Sequence, residues 1–249
     1  MQYRQFGQLD WKVSALGFGA MRLPTTDPKD RTTIDEARAT RMVRYAIDHG
    51  VNYVDTAYPY HNGESERFVG RVLQDGYREK VHLATKLPMW ALEEEGDAER
   101  ILNEQLEKLQ TDHIDFYLFH GLREVRWEVV EKFDLLNWAE GALADGRIRH
   151  LGFSFHDNVD VFKKIVDAYD NWTFCQIQYN YMDINNQAGT EGLKYAASKG
   201  LGVVVMEPLL GGRLVDPPDP VQDIWDTAPT VQTPVERALR WLWDQPEVS

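Results

Sequence analysis

Short apolar runs recur along the chain at a steady interval, and most end on a polar residue. The runs are Ala15–Met21, Tyr53–Ala57, Val81–Leu87, Ile114–His120, His150–Phe155, Phe174–Tyr179 and Gly202–Glu207. The polar residues at or near their ends are Asp55, Lys86, His120, Ser154, Gln176 and Glu207, spaced by 31, 34, 34, 22 and 31 residues. That interval holds one strand and one returning helix, so the pattern predicts repeated βα units around a parallel sheet.

Between the runs the apolar period lengthens to that of a helix. Thr33-Ile34-Asp35-Glu36 predicts a capping box that opens a helix carrying Ala37, Met42, Val43, Ala46 and Ile47 and stopping at Gly50. Gly63–Gly76, Asp97–Leu109, Asp157–Asp170 and Thr190–Gly200 predict further helices. Thr233-Pro234-Val235-Glu236 repeats the cap, with Pro at the first helical position, ahead of Ala238, Leu239, Trp241 and Leu242. Two segments depart from the rhythm. Gln2–Phe6 and Val13–Leu16, on either side of Gly7–Lys12, predict an antiparallel hairpin before the repeat begins. Arg213–Thr233, with Pro217, Pro218 and Pro220, predicts a long loop.

Seven strands in βα order fit either a doubly wound open sheet or a (β/α)8 barrel. A dinucleotide-binding open sheet needs G-x-G-x-x-G running straight into a helix. Gly17-Phe18-Gly19-Ala20-Met21-Arg22 has no third glycine and no immediate helix. The barrel of TIM type is therefore expected, with chemistry at the C-terminal ends of its strands, where the polar residues fall. No shift in composition marks a second unit, so residues 1–249 read as a single domain.

Composition narrows the class. Eight Trp and 12% aromatic residues argue for a packed core. One cysteine, Cys175, excludes a disulfide framework and a cysteine-built metal centre within this chain. No apolar run reaches the roughly 20 residues that span a bilayer, and the start MQYRQFG has no signal-peptide character. A net charge of −13 argues against nucleic acid as a partner. The expectation is a soluble cytoplasmic protein with neither nucleic acid nor membrane as its partner.

Three strand ends carry a coherent set of reactive groups: Asp55 in Asp55-Thr56-Ala57-Tyr58-Pro59-Tyr60, Lys86 in Thr85-Lys86, and His120 after Phe119. A phenol has an ordinary pKa near 10, and an ammonium beside it favours the phenolate. A carboxylate would hold that ammonium, and a neutral histidine could orient a carbonyl. Such a set could protonate a carbonyl oxygen. Chemistry alone leaves Tyr58 and Tyr60 equivalent as the phenol. His61 and His156 read as rim or exposed loop residues, Glu93–Glu95 as a solvated helix start, and Trp90 and Leu122–Trp127 as either pocket lining or packing.

Asp55-Thr56-Ala57-x-x-Tyr60, Thr85-Lys86 and Asp115-x-Tyr117-x-x-His120 resemble the catalytic motifs of the aldo-keto reductase family. Val13–Met21 and Gly152-Phe153-Ser154 are similar to that family as well, and the resemblance runs from Tyr3 to about Glu247. It implies a (β/α)8 barrel that reduces an aldehyde or ketone with NADP(H) or NAD(H), a small-molecule carbonyl being the substrate. It also implies that Tyr60 is the general acid, that Asp55 and Lys86 tune it, and that His120 orients the substrate. Ser154 and Gln176 match positions that bind the nicotinamide carboxamide; the usual Asn after that serine is Phe155 here. Met206 stands where a ring commonly stacks on the nicotinamide, and Pro208, Leu209 and Gly211 match a loop over the pyrophosphate.

Two other functions are compatible with this chain. One is a non-catalytic nicotinamide-binding regulatory or sensing subunit on the same barrel. The other is a metal-dependent hydrolase, which the absence of a His-x-His pair among the seven histidines disfavours, so no metal ligand is assigned. Only seven strands precede Ser249, which predicts a barrel lacking its eighth strand, with the edges of its first and seventh strands exposed and its stability reduced.

Overall fold

The structure, a computed structural model, describes residues 1–249. An antiparallel hairpin comes first, with β1 (Tyr3–Gln5) paired to β2 (Lys12–Ser14) as Tyr3↔Ser14 and Gln5↔Lys12. Seven parallel strands follow: β3 (Phe18–Gly19), β4 (Tyr53–Asp55), β5 (His82–Leu87), β6 (Ile114–Leu122), β7 (Ile148–Phe155), β8 (Phe174–Gln178) and β9 (Gly202–Met206). They lie in sequence order, each bonded to the next, in a curled sheet whose outermost strands are β3 and β9.

Helices return the chain between strands. They are α1 (Glu36–Asp48), α2 (Glu64–Val72), α3 (Asp97–Leu109), α4 (Glu124–Lys132), α5 (Leu135–Ala144), α6 (Val159–Asp167), α7 (Gly189–Ser198), α8 (Asp219–Asp226) and α9 (Pro234–Trp243). None is long and apolar enough to cross a membrane. The capping box expected at Thr233 forms, with Thr233 and Glu236 exchanging side chain to backbone bonds. The one expected at Thr33 does not. Asp35 caps α1 by accepting from Arg38 N, because Thr33 Oγ1 is drawn back to the carbonyl of Asp30 at 2.7 Å. The loop expected over Arg213–Thr233 contains α8, which opens with Pro220 in its first turn and ends at Asp226. The pair α4 and α5 fills the interval between β6 and β7, which the apolar pattern left unassigned.

Strand periodicity decides what points where, since alternate side chains face opposite sides of a sheet. On β6, Tyr117 and Phe119 join the large core between sheet and helices, while Phe116 and Leu118 join a smaller cluster inside the sheet's curl. The hairpin closes the bottom of that interior. Phe6 packs 5.0 Å from Phe116 and 5.8 Å from Phe174, and Trp11 lies 5.5 Å from Phe116. Two inward glycines make room for these rings. A Cβ on Gly152 would stand 2.4 Å from the Phe174 ring, and one on Gly202 2.7 Å from Phe6. The interior is therefore mostly aromatic below, and most of its last inward positions at the strands' C-terminal ends are polar, Met206 of β9 being apolar.

The gap between β9 and β3 is bridged by the chain's last residues. Ser249 N donates to Val203 O at 3.0 Å, and Val203 N donates to Ser249 Oγ at 3.1 Å. Trp243 Nε1 donates to Ala15 O, and Arg4 donates to the carbonyls of Trp243 and Gln245. The Ser249 bonds occupy part of the β9 edge, one of the two that the pattern expected to be bare, while those of Trp243 and Arg4 fall on segments ahead of β3.

Candidate active site

Asp55 is the last residue of β4 and Lys86 lies near the end of β5, both inward. The two strands run in register with Asp55 opposite Ala84, so Lys86 extends past the shorter strand and turns back over it. Its Nζ donates to both Asp55 oxygens at 2.7 and 2.8 Å, to Thr56 O at 2.8 Å and to Tyr60 Oη at 3.4 Å. The lysine is 1% exposed. Such a cation is tolerated only because its charge is neutralised and its donors are occupied.

Burial pushes the Lys86 ammonium down, but Asp55 and Tyr60 outweigh it, so the group is held charged more firmly than a free lysine. Burial raises the Tyr60 phenol, Lys86 pulls it down, and Asp55 pushes it up again, for a net rise. The lowering expected from the ammonium is thus present but does not prevail. Tyr60 remains a protonated phenol at neutral pH, a state from which it can donate.

His120 continues the inward file of Phe116 and Leu118. Its ring meets that of Tyr60 edge-on, 6.2 Å between centroids and 83° between planes. Its Nδ1 is buried without a hydrogen-bond partner. Burial depresses its pKa well below the ordinary histidine value, and the nearby charges of Lys86, Arg126 and His156 act in the same sense. The ring is neutral, and one of its nitrogens is unpaired.

Above this cluster lies a cavity of about 940 Å³. Asp55, Tyr60, Lys86, His120, Ser154, Gln176, Met206, Pro208, Leu209 and Gly211 all line it. The ten expected site residues are therefore brought to one place. Gly121 N donates to Ser154 Oγ at 2.7 Å, leaving that hydroxyl its own proton to donate. Gln176 Nε2 reaches Asp55 Oδ2 at 3.4 Å, leaving its Oε1 as an acceptor. One free donor beside one free acceptor complements a primary carboxamide, so these residues fit a nicotinamide. Gly211 and Gly212 both have positive φ, 65° and 97°, which brings backbone close to the cavity after β9. Arg22, after β3, meets Glu207, after β9, at 3.3 Å, so a polar pair spans the gap between the two outer strands.

Other expected residues resolve differently. Tyr58 points away from the site: its Oη lies 3.3 Å from Glu104, and Lys108 covers its ring. Phe155 is fully buried on the outward face, packed 5.0 Å from Phe162, and the next residue, His156, lines the cavity instead. His61 is neither exposed nor in the cavity. Leu23 N donates to its Nε2 at 3.0 Å and its Nδ1 lies 2.7 Å from Arg31 O, so it pins the long loop before α1. Trp127 belongs to the core, whereas Trp90 is 49% exposed with its ring 4.9 Å from that of His120. Glu93–Glu95 are exposed ahead of α3, as the charge run suggested.

A buried polar network behind Lys86 has a weaker sequence signal. Glu66, wholly buried on α2, accepts from Thr85 Oγ1 and Gln105 Nε2, each at 2.6 Å. Gln105 Nε2 also donates to Lys86 O at 3.0 Å, and Tyr117 Oη donates to Gln105 Oε1 at 2.7 Å. The available clue is Gln105 itself, a polar residue in the buried stripe of α3 beside Ile101, Leu102 and Leu109. Gln178, two residues beyond Gln176 on the same face, also lines the cavity.

The Aldo/keto reductase family model matches residues 15–248. The chain is 30% identical over 237 residues to an uncharacterised oxidoreductase, YrpG, of Bacillus subtilis, covering 86% of this chain and 68% of that one. It is 30% identical over 233 residues to an L-galactose dehydrogenase of Arabidopsis thaliana, covering 88% and 69%. Among solved structures, an aldo-keto reductase of Bacillus halodurans in its holo form superimposes with a TM-score of 0.79 at 29% identity, over 100% of this chain and 84% of that one. An aldo-keto reductase of Klebsiella pneumoniae, in complex with NADPH, shares the fold with a TM-score of 0.74 at 24% identity, over 99% and 82%.

Proposed function

The chain belongs to the aldo-keto reductase family of oxidoreductases, and from that premise we propose that it reduces an aldehyde or ketone with NADP(H) or NAD(H), Tyr60 supplying the proton. The observation that carries this reading is the convergence on Lys86. One buried ammonium touches a carboxylate, a backbone carbonyl and the phenol of Tyr60, with a neutral His120 edge-on to that phenol.

Ser154 and Gln176 would hold the carboxamide of the nicotinamide, Met206 would pack on its ring, and Pro208, Leu209 and Gly211 would approach its pyrophosphate. When bound there, the nicotinamide supplies a hydride to the carbonyl carbon. The chain's own residues handle the proton. Tyr60 Oη donates to the carbonyl oxygen, and the phenolate left behind lies 3.4 Å from the Lys86 ammonium, which stabilises it. Asp55 keeps that lysine charged and fixed, so the stabilising charge is in place before the reaction. His120 directs a ring nitrogen at the substrate oxygen, which orients the carbonyl beneath Tyr60. Solvent returns the proton to Tyr60, and alcohol oxidation follows the same path in reverse.

The test is turnover. Purified chain is incubated with NADPH or NADH and simple aldehydes while the nicotinamide absorbance is followed. Aldehyde-dependent loss of reduced cofactor supports the reading. Tight cofactor binding with no turnover of any aldehyde would sink it in favour of a binding subunit.

A further inference from the structure

We infer that the carbonyl substrate carries an anionic group, and that Arg126 receives it at the mouth of the site. The inference deepens the carbonyl-reductase reading and rests on it. Arg126 stands in the first turn of α4, immediately after the strand that ends in His120-Gly121-Leu122. Its Nη1 donates to Gly121 O at 2.6 Å, and its Cζ lies 5.0 Å from the centroid of the Trp90 ring. Trp90 in turn lies 4.9 Å from His120, and His120 is the ring edge-on to Tyr60. A continuous chain of side-chain contacts therefore leads from the phenol to a guanidinium.

The guanidinium is unspent. It has five N–H donors, and its one protein hydrogen bond uses a single nitrogen. No carboxylate pairs with it. The charged group acting on it is another cation, Arg123, and burial adds to the cost of its charge. The neighbouring acids are engaged elsewhere. Glu124 faces Lys164 at 3.7 Å, and the Asp157 carboxylate accepts from Glu124 N and Asn158 N while facing Arg123. In a chain with 40 acidic and 27 basic residues, an arginine left without an acid beside a reactive cluster is a receptor for an outside anion. The half-exposed Trp90 gives the organic body of the ligand an apolar face between the two polar ends.

A strut holding Gly121, whose φ is 63°, would use the same Nη1 bond, so the experiment reads a ratio that a strut does not change. The values of kcat/KM for 4-formylbenzoate and for 4-formylphenyl phosphate are each divided by that for methyl 4-formylbenzoate, an uncharged substrate of similar shape. At low salt at least one ratio is expected to reach about tenfold, chiefly through KM, and to shrink as added salt screens the pair. Arg126→Gln brings the ratio close to one, and Arg126→Lys, which keeps the charge without the fork, retains part of it. Whichever anion gives the larger ratio identifies the group. Equal turnover of acids and ester, or a preference that survives Arg126→Gln, would overturn the inference while leaving the reductase reading standing. Failure to reduce any of the three aldehydes would overturn the reductase reading, and this inference with it.

Discussion

Two buried carboxylates lie at opposite ends of the same sheet, Asp55 at the end of β4 and Asp115 at the start of β6. Asp115 is outnumbered by its partners. Leu83 N donates to its Oδ2 at 2.9 Å and Arg78 meets the same oxygen at 2.7 Å; His82, Arg149 and His113 approach its Oδ1 at 3.4, 3.5 and 3.7 Å. Although burial opposes ionisation, these neighbours hold its carboxyl far below the ordinary carboxylate range. Asp55 has one cation, and that cation is shared with Thr56 O and Tyr60. The lower cluster ties β5, β6, β7 and the turn before β5 together. The upper cluster keeps a phenolic proton, a free His120 nitrogen and an open cavity in reserve. Charge alone does not separate the two ends. What separates them is the kind of group left unspent: a phenolic proton beside a neutral histidine above, and below only a buried His82 Nδ1 next to a carboxylate already saturated by cations.

Substitutions at the two ends should fail in different ways. Tyr60→Phe removes the proton donor while keeping the ring, so kcat for aldehyde reduction is expected to fall by about 10²–10⁴. Its thermal melt should match that of the parent chain. Undiminished turnover in Tyr60→Phe would show that the proton comes from elsewhere. Asp115→Asn leaves the mostly buried Arg78 without its anion and Leu83 N without its carboxylate acceptor, and is expected to cost about 3–5 kcal/mol in denaturant unfolding. Its kcat/KM per folded molecule should hold within about twofold. A loss of turnover in Asp115→Asn without a loss of stability would erase the distinction between the two ends.

Acid should dismantle the ends in sequence. His120 has a depressed pKa in the folded protein, so the unfolded chain takes up a proton first as pH falls through about 6.5, at a cost of up to about 1.4 kcal/mol per pH unit. Asp115 is depressed too, so its contribution is intact above pH ~4 and declines below it. Urea unfolding from pH 8 to 3 should therefore show two stages of weakening, and His120→Asn should diminish only the first, to which burial of His150 and His156 also contributes. A single stage below pH 4 in the parent chain would mean that His120 titrates normally and is open to solvent. Reduction itself should not decline through deprotonation of Tyr60 until above pH 10, because that phenol is raised.

The two ends were unequally legible in the sequence. The upper one was open to reading because strand alternation makes each site residue the end of an apolar file: Phe116, Leu118, then His120; Ala84, then Lys86; Phe174, then Gln176. A polar residue closing such a file has to face the cavity. The same rule explains Phe155, which falls on the outward face, so its place in the cavity goes to His156. The lower cluster draws on residues that begin strands or precede them, such as Arg78, His82, His113 and Arg149, where charged residues are ordinary and only three-dimensional closure shows that they share one anion. Tyr58 and Tyr60 were equivalent as chemistry, and the fold separates them by sending Tyr58 to Glu104. The cap at Thr33 and the loop after Arg213 show the converse limit. Both were read from local residue types, and both were settled by contacts or helix formation that the local pattern does not weigh.

The smallest expected effect tests how the lower cluster distributes its charge. Arg78 is mostly buried and meets Asp115 at 2.7 Å, whereas Arg149 has half its side chain in water and stands at 3.5 Å. Water and salt screen the second pair, so Arg149→Gln should cost only about 0.5 kcal/mol, and less in added salt. Arg78 also donates to Val81 O, His113 O and Thr111 Oγ1; His113 O keeps its bond from Thr111, so Arg78→Gln strands the Val81 carbonyl besides the carboxylate and should cost about 2–3 kcal/mol. If denaturant unfolding gives the two variants similar costs, the cations around Asp115 act as one coupled network, and the exposed arginine matters as much as the buried one. If they differ as expected, the clamp is a single well-made pair with spectators around it. In that case neither variant should alter aldehyde turnover, because nothing at the lower end is free to reach the upper one.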